Sequence, residues 1–322
     1  MSYTINYGGE YMTTSIYMNS LRKKLKIMNR RKALYFMMIP GVVFLFVFNY
    51  MPMYGAIIAF KDFAIKKGIM ASPWANPWYK HFAQFFKSPY CVRVLKNTLI
   101  ISVLKIVITT PITILFAVAM AEVPSKGYRK VVQTLTYLPH FLSWIIVYGV
   151  FFSMLSESRG LINYLIKQIT GSTINFMSST KWFRPLLIFS DLWKENGWNA
   201  IVYLAAIIGI DSTLYEAAKI DGCNRWQMIY HITLPGIRSV VVIMLLLKVS
   251  SILDAGFDQV YAMYSTQVLS VGDIIDTWVY RTGIKQWNMS LASAVGLFKS
   301  VIGTLLLVSL NALARRWGES LW

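Results

Sequence analysis

The sequence predicts an all-α, polytopic membrane protein with six transmembrane helices, and three observations predict it. Of the 322 residues 56% are hydrophobic and only 14% charged, against roughly 25% charged in soluble domains. A soluble domain of this length would need a polar surface that such a composition cannot supply. The charges are also absent from long stretches: residues 33–60 and 131–156 contain no Asp, Glu, Lys or Arg. Finally, apolar runs long enough to cross a bilayer recur six times, separated by polar segments rich in Pro, Gly, Lys and Arg.

Residues 1–32 are a polar, basic tail that ends in Arg22, Lys23, Lys24, Lys26, Arg30, Arg31 and Lys32. The apolar run after it starts too late for a signal peptide and is followed by no small-residue cleavage site, so the tail is read as uncleaved. The first span covers 33–60, with Pro40 and Pro52 expected to bend or end it. Residues 61–96, with Pro73, Pro77, Pro89, Trp74 and Trp78, read as an extramembrane loop with interfacial aromatics. The second span is 97–121, interrupted by Lys105, and the third is 131–156. Residues 157–184 are amphipathic and turn-rich, with a short interfacial helix near 160–166. The fourth span, 185–210, carries Asp191, Lys194 and Glu195. A polar segment, 211–238, precedes the fifth span, 239–260, which carries Lys248, Asp254 and Asp258. The sixth span, 286–314, contains Lys299 and is followed by a short tail, 315–322. Six spans form one domain, 33–314, and place both termini on the same side.

The net charge of +18 is compatible with nucleic acid, anionic lipid or an acidic substrate. Basic residues are scattered and do not interleave with aromatics, which excludes a nucleic-acid surface. Lys and Arg divide almost evenly between the two sides of the six spans, so charge bias does not orient the chain. Cys91 and Cys223 belong to no CxxC pair, and His81, His140 and His231 are far apart, so no metal site is expected. There is no G-x4-G-K-[ST] phosphate loop and no Ser/His/Asp arrangement. The chain is therefore read as a transport component with no catalytic residue and no cofactor of its own.

Charged groups inside spans are expensive, so they face a partner or a water-filled path. On the fourth span Asp191, Lys194, Glu195 and Trp198 share an arc of about 100° on a helical wheel. On the fifth, Lys248, Ser251, Asp254 and Asp258 share one of about 120°. Trp193, Trp198 and Tyr203 add flat faces suited to sugar rings, and Asn199 adds a polar group one turn beyond Glu195. These eleven residues are the candidate substrate path. The plainer alternative is local pairing, above all Asp191 with Lys194 three residues on, or snorkelling at span ends.

Between spans four and five stands Glu216-Ala217-Ala218, then Gly222, then nine residues and Ile232-Thr233-Leu234-Pro235. Residue chemistry predicts a helix over the alanines, an exit at Gly222 and a second helix from Asn224 to about Ile232, ending before Pro235. The pattern E-A-A-x3-G-x9-I-x-L-P resembles the EAA loop of binding-protein-dependent ABC importer permeases, and all seven specified positions match. Asn97-Thr98-Leu99, Leu138-Pro139-His140, Gly160-Leu161-Ile162-Asn163, Gly197-Trp198 and Ala255-Gly256-Phe257-Asp258-Gln259 further resemble the oligosaccharide branch, the maltose-like and alginate- or pectin-fragment-like systems. Cys223 departs from it, since Ala is commoner after the glycine.

The resemblance implies a type I ABC importer permease fold in a bacterial cytoplasmic (inner) membrane, with both termini and the 211–238 loop cytoplasmic. It implies coupling through Glu216, Ala217, Ala218, Gly222, Ile232, Leu234 and Pro235 to two separate ATPase subunits that bind ATP and Mg. It also implies a second homologous permease in a heterodimer, an external solute-binding protein, and an oligosaccharide as cargo. Lys299, on the opposite side of its helix from Ser290, is a candidate to face the second permease. Basic loop residues Lys61, Lys66, Lys67, Lys80 and Lys87 suit a uronate-containing glycan, and equally lipid headgroups or an acidic binding protein. The alternatives are a stand-alone secondary transporter or channel, which would show inverted repeats, and a membrane enzyme, which would show a titratable cluster.

Overall fold

The computed structural model describes residues 31–316 and Gly318; most of the basic tail and the end of the 315–322 tail lie outside the described residues. The described residues are helical apart from loops and one isolated bridge, Lys61 to Trp74. They fall into two units, one ending at Ile57 and one beginning at Ile58.

The first unit is most of helix α1, Lys32–Phe60. It runs through Pro40, widens to a π turn over Phe46–Tyr50 and tightens to 3-10 geometry over Tyr54–Phe60. Pro52 has no amide hydrogen for the ladder, and the π turn just ahead of it absorbs the mismatch. The prolines thus change the helix's pitch without ending it.

The second unit opens with an ordered loop. The Lys61 ammonium, buried, donates to the carbonyls of Ile69 (2.8 Å) and Met70 (3.0 Å) and lies 4.9 Å over the Trp74 ring. Ser290 Oγ donates to the Lys61 carbonyl at 2.6 Å and accepts from the Phe63 amide at 3.0 Å. Helix α2, Lys80–Lys87, then stacks Phe86 edge-on against Phe298 at 5.2 Å. What reads in sequence as a polar loop is pinned to the last helix.

Helices α3 (Cys91–Glu122) and α13 (Met289–Arg315) are long enough to cross a bilayer alone, as is α1. Three more spans arise only when bent pairs are counted as one, giving up to six. The third predicted span is broken: α4 (Lys126–Tyr137) continues as a 3-10 turn to Phe141, and α5 (Trp144–Leu155) leaves it at 105°. Pro139 removes an amide and Ser143 caps the new helix by accepting from the Ile146 amide at 3.4 Å. A composition free of charges hid this corner. Helix α6, Leu161–Thr170, is the predicted interfacial helix; its buried Asn163 ties Leu155 and Ile174 together through three hydrogen bonds.

The fourth span is α7, Thr180–Ile208, which turns by 66° into α8, Ser212–Ile220. Helix α9, Arg225–Gly236, turns by 58° into α10, Arg238–Ser250. The fifth span was predicted to 260 but α10 stops at Ser250. Asp254 Oδ1 accepts from the Gly256 amide at 3.1 Å, and Gly256 adopts φ +87°, a conformation that glycine alone adopts cheaply. A short helix, α11 (Phe257–Met263), then begins. Gln259, fully buried on it, donates to the Leu187 carbonyl (2.6 Å) and to Ser190 Oγ (2.8 Å), fastening the break to α7. Helix α12, Ile275–Tyr280, leads into α13.

Three apolar clusters hold the second unit. One joins α3, α5, α7 and α11 through Ile101, Val147, Phe183, Leu187 and Val260. Another joins α2, α3, α12 and α13 through Phe85, Val94, Trp278 and Leu291. The third joins α3 and α7 to the base of the α8–α9 hairpin through Ala117, Tyr203, Ile207 and Ile237. Helices α4 and α7 touch backbone to backbone at Gly197, where a Cβ would run into the Thr136 carbonyl.

Two outcomes follow. Gly197→Leu forces α4 from α7 and is expected to destabilise the fold by about 1–3 kcal/mol, read as a lower Tm in detergent. Gln259→Leu leaves the Lys105 ammonium and the Leu187 carbonyl short of partners, and is expected to lower Tm by a comparable amount; Gln259→Glu, which keeps the acceptor toward Lys105, should recover part of it.

Candidate functional site

The α8–α9 hairpin is built from local signals. Asp211 caps α8 by accepting from the Thr213 amide at 2.9 Å, which holds its carboxyl below the usual carboxylate range. After Ile220 the Gly222 amide donates to Lys219 and the Cys223 amide to Ala218, at 3.1 and 2.9 Å, with Gly222 at φ +74°. This is the left-handed exit that a Cβ would strain. Asn224 and Gln227 exchange hydrogen bonds in a capping box at the start of α9. Helix α9 does not stop before Pro235; it passes through a π turn at Ile229–Thr233 and continues to Gly236. The π turn accommodates the amide that Pro235 lacks.

The hairpin's root is packed and its tip is bare. Tyr215 and Thr233 join the two helices by a 3.0 Å hydroxyl contact, and Ala218, Thr233 and Ile237 are buried. Ile232 and Leu234 are half-buried at the root, with Leu234 against Ile237's cluster. Glu216, Ala217, Gly222 and Pro235 are exposed. Ile220, Trp226 and Tyr230 are 87%, 79% and 70% exposed. Apolar side chains this bare on a capped hairpin form the kind of exposed patch that contacts another protein or a membrane.

The intramembrane charges sort into a cleft and a pin. A cleft of about 280 Å³ is lined by Ser102, Lys105, Thr109, Asp191, Glu195, Asn199, Lys248, Ser251 and Asp254, among others. Asp191, Glu195 and Asn199 lie four residues apart and form one row along α7. Lys105, which sequence reasoning weighted least, is central: its ammonium stands 3.2 Å from Asp191 Oδ1, donates to the Ala255 carbonyl at 3.0 Å and also donates to Gln259 Oε1. Gly256 leaves room for it, since a Cβ there would stand 3.0 Å from Lys105 Nζ. Being the single charge of the second span was the signal that pointed to it. Across the cleft the Lys248 ammonium donates to Thr110 Oγ1 at 3.0 Å.

Lys194 and Trp198 turn the other way, to the α4–α5 corner. Lys194, buried, donates to the His140 carbonyl (2.6 Å) and Glu195 Oε1 (2.8 Å) and lies over Trp144. His140 Nδ1 lies 2.6 Å from Glu195 Oε2, and its ring stacks on Trp198 at 4.5 Å. The expected Asp191–Lys194 pair therefore does not form; the two residues belong to different rows of α7. Trp193 packs edge-on against Phe151. Tyr203 is 1% exposed inside the third apolar cluster and offers no face to a ligand. Asp258 is exposed on α11 and does not line the cleft, because the fifth-span arc is interrupted at Ser251–Gly256. Lys299, a candidate to face another subunit, pairs within the chain with Asp276 at 2.7 Å and lies 3.8 Å from Asp254. Among the described residues no three His, Cys, Asp or Glu side chains converge as a metal site.

Comparison with known proteins fits this arrangement. The chain is 43% identical over 305 residues, 94% of each chain, to the polygalacturonan/rhamnogalacturonan transport system permease protein YteP of Bacillus subtilis (strain 168). It resembles a chain in the crystal structure of a bacterial ABC transporter involved in the import of the acidic polysaccharide alginate, with TM-score 0.83 and 38% identity, covering 91% of this chain and 99% of that one. A second structure, of a bacterial alginate ABC transporter in complex with an alginate pentasaccharide-bound periplasmic protein, matches with TM-score 0.82 and 37% identity over 92% and 98% of the chains. Residues 109–319, which contain the hairpin and most of the cleft, match the family model, and the chain belongs to the family of binding-protein-dependent transport system inner membrane components.

Proposed function

We propose that the chain is one of two homologous permease subunits of an ATP-driven importer that moves an acidic oligosaccharide across the cytoplasmic membrane. The observation that carries this reading is the α8–α9 hairpin, rigid at its root and bare at Glu216, Ile220 and Trp226. Such a tip suits a cleft on a cytoplasmic ATPase. The chain has no phosphate loop, so ATP and Mg would be held by two separate ATPase subunits. A hairpin in the cytoplasm places both termini there and turns the 61–90 loop toward an external solute-binding protein.

The mechanism follows from how the hairpin is joined to the spans. Each hairpin helix turns directly into a span, α8 from α7 and α9 into α10, with one to three residues between. Closure of the ATPase pair would draw the tip inward, and the short joints would pass that displacement to α7 and α10, the walls of the cleft. The cleft would then open to the outer face, where the binding protein releases the glycan. Ammonium groups and neutral hydrogen-bonding side chains in the cleft suit a glycan that carries both carboxylates and hydroxyls. The names of the relatives, for polygalacturonan and for alginate, support a uronate-containing cargo.

Glu216→Lys together with Ile220→Asp is expected to abolish co-purification of a Walker A-containing subunit and to reduce uptake more than about tenfold, while Tm in detergent stays unchanged; retained association would overturn the coupling role. Uptake of an oligogalacturonate is expected to exceed that of its carboxyl-reduced, neutral counterpart, and equal uptake would overturn the acidic cargo.

A further inference from the structure

Two ammonium groups, Lys105 and Lys248, line the cleft, and both offer themselves to an anionic ligand. Counting donors separates them. An ammonium has three N–H donors. Lys105 donates to the Ala255 carbonyl and to Gln259 Oε1, and its charge is met by Asp191 Oδ1 at 3.2 Å. Withdrawing any one of them loosens the break at Ser251–Gly256 or strands the Asp191 carboxylate inside the span. Lys105 is therefore a structural staple, with two hydrogen bonds and a carboxylate already on its ammonium.

Lys248 is different. Among the described residues its ammonium has one hydrogen-bond partner, Thr110 Oγ1 at 3.0 Å, and no carboxylate within 4.0 Å. The three carboxylates that line the same cleft each stand nearer to another lysine than to Lys248. Asp191 is paired with Lys105 at 3.2 Å, Glu195 with Lys194 at 2.8 Å, and Asp254 lies 3.8 Å from Lys299. Lys248 thus lines the cleft with one hydrogen bond for three donors, and an ammonium within a span that lacks a carboxylate partner is costly. A carboxylate is the complement such a group takes, through charge-assisted hydrogen bonds.

We propose that Lys248 is the specificity-determining residue of the transmembrane path, binding the carboxylate of one uronate unit as the glycan passes, while Lys105 holds the wall against which it passes. This rests on the importer reading above and adds to it which group reads the cargo's charge. The Asp254 carboxylate on the same wall as Ser251 would accept from hydroxyls of that unit, so that a hexuronate, carrying both groups, satisfies the cleft better than a neutral hexose.

The test uses the assembled importer with its partner subunits, supplied with trigalacturonate and with its carboxyl-reduced, neutral counterpart as the two probes. Lys248→Met is expected to lower the acidic-to-neutral uptake ratio about tenfold, the value of one hydrogen bond to a charged group. Lys248→Arg, which keeps the charge, is expected to hold the ratio within about threefold of the parent's. An unchanged ratio in Lys248→Met overturns the assignment. Equal loss of both probes in Lys248→Met and in Lys248→Gln, which keeps a donor for Thr110, shows a purely structural lysine and also overturns it. If the parent complex takes up neither probe, the importer reading for acidic glycans fails instead, so the two failures are distinguishable.

Discussion

The rest of this structure depends on how the chain satisfies one interruption inside a span. At Ser251–Gly256 the fifth predicted span stops being helical and frees backbone groups that need partners. The freed Ala255 carbonyl takes the Lys105 ammonium, Gln259 bridges Lys105 to Leu187 and Ser190, and Lys105 in turn neutralises Asp191. A single buried ammonium thus joins α3, α7 and the break. The cost of an unpaired charge in a membrane is what makes the joint specific: each alternative arrangement leaves Lys105 or Asp191 alone.

The same economy governs the α4–α5 corner. Pro139 and Ser143 turn the chain by 105°, and Lys194, Glu195 and His140 bind the corner to the face of α7 behind the cleft. Glu195 belongs to both arrangements: it lines the cleft and closes the pin. A displacement of α7 therefore moves the cleft wall and the corner as one body. At its other end α7 runs into the hairpin, whose Tyr215–Thr233 contact and buried Ile237 keep the two hairpin helices together. The hairpin is thereby continuous, through α7, with the charged row Asp191, Glu195, Asn199.

Local chemistry was legible along the chain. The helix over Glu216–Ala218, the exit at Gly222 and the start of a second helix at Asn224 follow from propensity and glycine's backbone freedom, and the structure has all three. Periodicity put Asp191, Lys194, Glu195 and Trp198 on one arc of α7, of which only Asp191 and Glu195 line the cleft while Lys194 and Trp198 meet His140. Periodicity failed where helices were not continuous. The arc of Lys248, Ser251, Asp254 and Asp258 presumed a helix that ends at Ser250, so Asp258 falls outside the cleft. Tyr203 and Trp198 read as faces for a sugar, yet one is buried in the core and the other is stacked on His140. Aromatics at helical spacing look alike in sequence whether they meet a ligand or a neighbour.

The sequence by itself determined that the chain lives in a bilayer, where the hairpin lies, and which few residues are charged inside the spans, because these are properties of composition, local conformation and motif. Which charge meets which was decided only by the tertiary structure. Lys105 meets Asp191, 86 residues away along the chain, and Lys299 meets Asp276 across the turn from α12 to α13. Residue spacing favours Lys194 for Asp191, but the buried break needed an ammonium, the α4–α5 corner needed another, and each went where the cost of leaving a partner unsatisfied was greatest. That allocation left Lys248 in the cleft with one hydrogen bond among the described residues.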